Sequence, residues 1–298
     1  MPESLVGPWA KDKLDRLDKY LNAYTTIMRK QSWCSGFAYV DAFAGPGRHE
    51  VRHKEGTQRL QNLLFSVATF SQQDEGQSKF IEGSPRIALE IKFPFSWYVF
   101  IEKHPARVAD LQYLQKEYRE TRNIVVRQSD CNGYLLEKLV HNPKIDWASW
   151  RAVVFLDPFG MQVPWSTLAA LGQTKAIEVF LNFPVGMAIQ RLLLRAGQFT
   201  AKQREKLDTY FGSPDWYDVL YPVKPNLFGA STVKVEESGQ ALLNWYRKRL
   251  QKAFGHASKA ALIRNTKGGH LYYLLLATPK KKGLEIADDI LSAGETAE

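Results

Sequence analysis

The sequence predicts an α/β fold, a seven-strand, mostly parallel sheet with helices on both faces and a C-terminal antiparallel strand pair. Three observations carry that expectation. Five short β-branched and aromatic runs each end in an acid or an amide, helix-like segments alternate with them, and the rhythm changes beyond Pro184 to end in two strands around Gly268 and Gly269. Taken in order, Leu14, Leu17, Leu21, Tyr24 and Met28 recur every three or four positions, which predicts an amphipathic helix over 10–30. The strands fall at 37–43, 96–102, 123–130, 151–157 and 176–183, with helices at 105–118, 133–140 and 164–171, two of them opening on proline. Helices follow near 187–196, 201–210 and 240–254. The closing strands "KAALIRNT" and "HLYYLLLAT" flank a "KGG" hairpin turn. The polar stretch 48–80 reads as an insertion after the first strand, and 187–255 as a helical and irregular lobe, on a single domain spanning 1–298.

Forty Lys and Arg against 31 Asp and Glu give a formal charge of +9, which favours polyanionic partners, DNA or RNA among them. Cys34 and Cys131 are the only cysteines and have no metal-site spacing, so the chain is expected to carry reduced thiols and no metal. With no apolar run long enough to span a bilayer, the expectation is a cytoplasmic protein without a membrane partner.

The stretch "FAYVDAFAGPGRHE" places Asp41 just before a turn containing Gly45 and Gly47. In open α/β sheets ligands sit beyond the carboxyl ends of the strands, and Asp41, Glu102, Asp130, Asp157 and Asn182 all belong to that edge. A triphosphate loop would add a Lys and a Ser or Thr, and a dinucleotide loop a third glycine; both are missing. A carboxylate facing a pyrophosphate would also be repelled by it. S-adenosylmethionine, with an ammonium and a sulfonium, suits the acid better. Asp41, with the close backbone approach allowed at Gly45 and Gly47, would serve the methionine end, Glu102 the ribose hydroxyls, and Asp130 the adenine amine. Phe43, Lys103 and Cys131, beside these acids, complete the expected cofactor set.

The motifs "YVDAFAGPG", "FIEKHPARV", "QSDCN" and "VFLDPFG", in that order, resemble class I S-adenosylmethionine-dependent methyltransferases. More narrowly, "WAKDKLDRLDKYL", "YVDAFAGPG", "EGSPRIALE", "FIEK", "VVFLDPFGMQVPW" and "LNFP" resemble the three-Cys-motif partner family, TcmP, from about Trp9 to the end of the chain. The resemblance implies a Rossmann-like methyltransferase sheet, the same cofactor residues, and a neighbouring three-cysteine-motif protein as partner. "LDPFG" stands where amine-directed methyltransferases carry an acid or amide, two prolines and an aromatic, which makes Asp157, Pro158 and Phe159 the candidate catalytic residues. Here the second proline is replaced by Phe159 and the aromatic position by Gly160. The competing reading makes Asp157 a helix cap near Pro164 and Phe159 a packing residue. Trp216 and Tyr217 read as core, and the basic run 48–59 and "TPKKKG" as solvated charge or phosphate contacts. The expected function is N-methylation of a nucleic acid base. The alternative is a catalytically weak or inactive methyltransferase-fold protein that binds the three-cysteine partner.

Overall fold

The computed structural model describes residues 9–50, 80–184, 189, 193, 198–226, 229–232, 234–265, 268–292 and 296–297. Helix α1 (Trp9–Met28) leads into strand β1 (Gly36–Asp41), then a short antiparallel pair, β2 (Arg48–Glu50) and β3 (Phe80–Glu82), and helix α2 (Ser84–Glu90). The alternation continues through β4 (Trp97–Glu102), α3 (Pro105–Glu117), β5 (Ile124–Gln128) and α4 (Cys131–Tyr134), which runs on as a π-helical segment to Val140. Next come β6 (Trp150–Leu156), α5 (Trp165–Gln173), β7 (Ile177–Phe183), α6 (Ala201–Phe211) and α7 (Trp216–Leu220). A hairpin, β8 (Val223–Asn226) and β9 (Gly229–Thr232), precedes α8 (Ser238–Phe254). The chain closes with β10 (His256–Ala257), β11 (Ala260–Arg264), β12 (His270–Thr278), α9 (Lys281–Leu291) and β13 (Thr296–Ala297).

The main sheet runs β13-β11-β12-β7-β6-β1-β4-β5, with β10 also paired to β12. Its β5-β4-β1-β6-β7 half is parallel and reverses direction of growth between β1 and β6, while β12 enters antiparallel beside β7. This is a Rossmann-like, mostly parallel sheet with the switch point at β1. Nine strands take part where seven were expected, because β10 and β13 are two-residue edge pairings too short to show a period. Helices α2 and α9 are not among the elements expected from the sequence. Within the lobe expected over 187–255, the stretch 213–238 holds α7 and the β8–β9 hairpin. The insertion beyond Glu50, including its basic residues Arg52, His53, Lys54 and Arg59, and most of the helix expected at 187–196 lie outside the described residues.

Adjacent strand residues point to opposite faces, and both faces are covered. Tyr39, Phe100, Val153, Phe155 and Phe180 pack beneath α1, α2, α3 and α9. Val40, Ile101, Val154, Leu156 and Leu181 pack beneath the α4 segment, α5 and α8. Every residue of β7 is buried. Helix α1 crosses the first face and presents polar groups inside its apolar stripe. The hydroxyl of Tyr20 donates to the buried carboxylate of Glu178, which also accepts from Thr278 Oγ1 at 3.0 Å. Arg16 donates to the carbonyls of Ile290 and Leu291, each at 3.0 Å, satisfying the C-terminus of α9.

Tyr20→Phe removes one of the two side-chain donors to a buried carboxylate and is expected to cost about 1–3 kcal/mol in urea unfolding. A loss too small to resolve would show that Glu178 does not hold α1 in place.

Candidate functional site

A cavity of about 640 Å³ opens at the carboxyl edge of the parallel strands, and β1, β4, β5, β6 and β7 each contribute to its wall through the turn that follows or their own last residues. That volume is in the range of small-molecule and cofactor sites. It brings together nine of the eleven sequence-derived candidates: Phe43, Gly45, Glu102, Lys103, Asp130 and Cys131 around the first three turns, and Asp157, Pro158 and Phe159 beyond β6. Asp41 and Gly47 lie behind the lining.

Asp41 is fully buried at the end of β1. Its carboxylate accepts from Tyr39 Oη at 3.1 Å and from the Phe43 amide at 3.3 Å, and bonds the hydroxyl of Ser84. Burial raises its pKa to about 7 against the opposing pull of these hydrogen bonds, with nearby Asp157 adding a smaller upward push. Ser84, at the first turn of α2, is the member of this group that lines the cavity. Gly45 and Gly47 have φ of 64° and 78°, a region that favours glycine. Gly47 is also the anchor for the "EGSPR" motif: its carbonyl accepts from the Gly83 amide at 2.8 Å, and a Cβ on Gly83 would lie 2.8 Å from the Gly47 carbonyl carbon.

Glu102 ends β4 and folds back toward the first turn. One oxygen accepts the Gly45 amide at 3.1 Å and the other the His104 amide at 2.8 Å, with Arg107 Nη1 3.8 Å away. A carboxylate has about four acceptor positions, so two stay available toward the cavity. Asp130 caps α4 through one oxygen, accepting from the amides of Asn132 at 3.0 Å and Gly133 at 3.2 Å. The neighbouring Cys131 is buried, and that burial pushes its thiol up to about 12, so it offers an apolar contact.

On the β6 side, Asp157 caps no helix: α5 begins after Pro164 with no side-chain cap. One Asp157 oxygen receives Lys13 Nζ and the other accepts Asn182 Nδ2 at 2.7 Å. That contact fixes the Asn182 amide, since the reverse orientation would set oxygen against oxygen. Asn182 Oδ1 is then buried without a hydrogen-bond partner, on a residue 5% exposed that lines the cavity. Phe159 is 83% exposed at the rim, so it is not a packing residue. The loop carrying it turns at Gly160 (φ 90°) and is tied to α4 by Asn132 Nδ2, which donates to the Gln162 carbonyl at 2.9 Å.

Lys13, Ser84 and Tyr272 are site residues beyond those the sequence indicates, while Asn182, expected at this edge without a stated role, lines the cavity. Lys13 had a visible signal. It occupies the same helical stripe as Ala10, Leu17, Tyr20 and Tyr24, where a lysine is unexpected. Its ammonium also lies 5.6 Å from the centre of the Tyr272 ring. Among the described residues no three His, Cys, Asp or Glu side chains cluster as a metal site, and no helix is long and apolar enough to cross a membrane.

No family model and no curated protein matches the chain. Among solved structures, the chain is similar to protein LPL1258 from Legionella pneumophila str. Philadelphia 1, assigned to family model DUF519. The two are 12% identical, with 92% of this chain and 90% of that chain covered and a TM-score of 0.49. Similarity at that level carries no functional argument, so function is argued from the site.

The raised folded-state pKa of Asp41 gives a signed expectation. Its contribution to stability is fully present below the unfolded value near 3.8 and is lost as pH rises through about 7. Asp41→Asn, which cannot ionise, is expected to gain on the wild type across this window by up to on the order of 4 kcal/mol. Urea unfolding of both proteins at pH 4 and pH 8 checks it; a constant difference would contradict it.

Proposed function

We propose that this chain is a methyltransferase-fold protein whose strand-edge cavity holds S-adenosylmethionine. The observation that carries the reading is the placement of Glu102 and Asp130 on one cavity wall at the switch point, each with acceptor capacity left over after its backbone hydrogen bonds. The group fits what is there. Glu102 would accept from the ribose hydroxyls, Asp130 from the adenine amine, and the backbone of the Phe43–Gly45 turn with Ser84 would meet the methionine end. Asp41 supports that turn from behind through its bonds to the Phe43 amide and the Ser84 hydroxyl. Cys131 and Ile101 give the ring apolar contact.

When bound, the cofactor supplies an electrophilic methyl group on its sulfonium. The chain's own contribution to transfer would be positioning. The Pro158 backbone carbonyl and Asn182 Oδ1 are acceptors for an exocyclic amine, and Phe159 offers an exposed face for a planar base. The reaction read from this is N-methylation of a base in DNA or RNA.

A second reading rests on its own observation. Asp157 is paired with the Lys13 ammonium through one oxygen and holds the Asn182 amide through the other, so in this arrangement its charge is engaged within the protein rather than presented to a target amine. This favours a weak or inactive methyltransferase-fold protein that acts by binding a three-cysteine-motif protein, as the resemblance to the TcmP family implies.

Titration calorimetry with S-adenosylhomocysteine is expected to give micromolar binding that Glu102→Ala weakens at least tenfold and Phe159→Ala leaves unchanged. No heat of binding to folded wild type would overturn the cofactor assignment. Labelled-methyl incorporation into DNA and RNA by wild type and Lys13→Ala then separates the two readings. Transfer that rises in Lys13→Ala supports the enzyme, whereas none from either, with cofactor binding intact, supports the binding protein.

A further inference from the structure

A second cleft, of about 570 Å³, lies between α5 and α8 and is lined by Trp165, Ser213, Trp245, Arg249 and Lys252 among others. Its centre is a stacked cation. The Arg249 guanidinium carbon is 4.4 Å from the centre of the Trp165 ring and 4.8 Å from that of Trp245. Among the described residues Arg249 makes no hydrogen bond or ion pair. The one acid in the lining, Asp215, is beyond ion-pair distance.

Stacking on indoles desolvates the faces of a guanidinium and leaves its planar edge of N–H donors as the polar outlet. Such an edge matches two oxygens of a phosphate or carboxylate, and a fixed ring stack removes much of the arginine side chain's entropy cost before any anion arrives. Lys252, exposed one turn further along α8, adds a second positive charge to the same cleft. The cleft is also close to the first cavity along the chain. Gln162 lines that cavity and Trp165, three residues later, lines this cleft, a contour of at most roughly 11 Å.

We infer that this cleft binds a backbone phosphate of a single-stranded nucleic acid that runs from the rim of the first cavity, at Phe159, to Arg249. A nucleic acid is favoured over an acidic protein segment by the net charge of +9 and by the exposed aromatic face one short loop away. The inference rests on the nucleic acid reading of the first cavity for the identity of the polymer, though not on the cofactor.

The test is fluorescence anisotropy of labelled 12-nucleotide single-stranded DNA and RNA with the full chain over a series of salt concentrations. Arg249→Met is expected to weaken binding about five- to tenfold and to reduce the magnitude of the log K against log salt slope by about 0.7, the value for one phosphate contact on a single strand, and Lys252→Gln to shift both in the same direction by a smaller amount. Arg249→Lys, which keeps charge and loses the fork, is expected to recover only part of the affinity. Lys252 is exposed, so its variant keeps the test valid if Arg249→Met does not fold. Absence of binding by wild type, or variants with unchanged affinity and slope, would overturn the inference. So would displacement of the oligonucleotide by a poly-glutamate peptide at equal charge concentration, which would assign the cleft to a protein carboxylate. Calorimetry with S-adenosylhomocysteine on the same samples separates the outcomes. Oligonucleotide binding without cofactor binding leaves this site standing and removes the cofactor proposal; the reverse does the opposite.

Discussion

Burial of the central strands on both faces is the constraint from which the rest of the molecule follows. A polar side chain buried on such a strand loses its water and must find partners within the protein. Few do so here: Glu178 is held by Tyr20 and Thr278, and Asp41 by Tyr39, Ser84 and the Phe43 amide. The remaining chemistry is displaced to the carboxyl edge, where loops bring water and ligands within reach. The large cavity at that edge and the apolar sheet below it are two results of one requirement.

The sheet was legible because its strands are short, β-branched and closed by acids, a pattern that few other structures produce. The acids' surroundings were less legible. Sequence places Asp41 at a strand end; it does not say that the side chain turns inward beneath the glycine turn and touches the cavity only through Ser84. Likewise "DPFG" offered Phe159 as either a packing or a contact residue, and only the loop geometry around Gly160 exposes the ring. The helix over Lys281–Leu291 was missed because its first turn is a basic run directly after a strand. Its buried residues, Ala287 and Leu291, fall four apart, a weak signal in so short a segment. Lys13 was missed for another reason: its partner Asp157 is 144 residues away, and no local pattern pairs them.

Helix α1 joins these two levels of the structure. Near its start Lys13 reaches the acid beyond β6, and two turns later Tyr20 reaches Glu178 on β7. The same element that covers one face of the sheet therefore brings a cation to the cavity rim. Any shift of α1 along the sheet would separate Lys13 from Asp157 and release the one oxygen of that acid that Lys13 holds, leaving the other on Asn182. Packing and site chemistry are in this way coupled through a single ion pair.

The β2–β3 pair has a different significance. Glu50 and Phe80 face each other across one rung of an antiparallel ladder, and the Gly47–Gly83 hydrogen bond closes the ladder at its root. The two ends of the stretch between Glu50 and Phe80 are therefore direct neighbours across the ladder. Whatever length of polypeptide is spliced between those two residues imposes almost no geometric demand on the sheet. The pair is a natural port for grafting: a two-residue hairpin or a foreign module joined at Glu50 and Phe80 would leave Ser84 and the glycine turn in position beside the cavity.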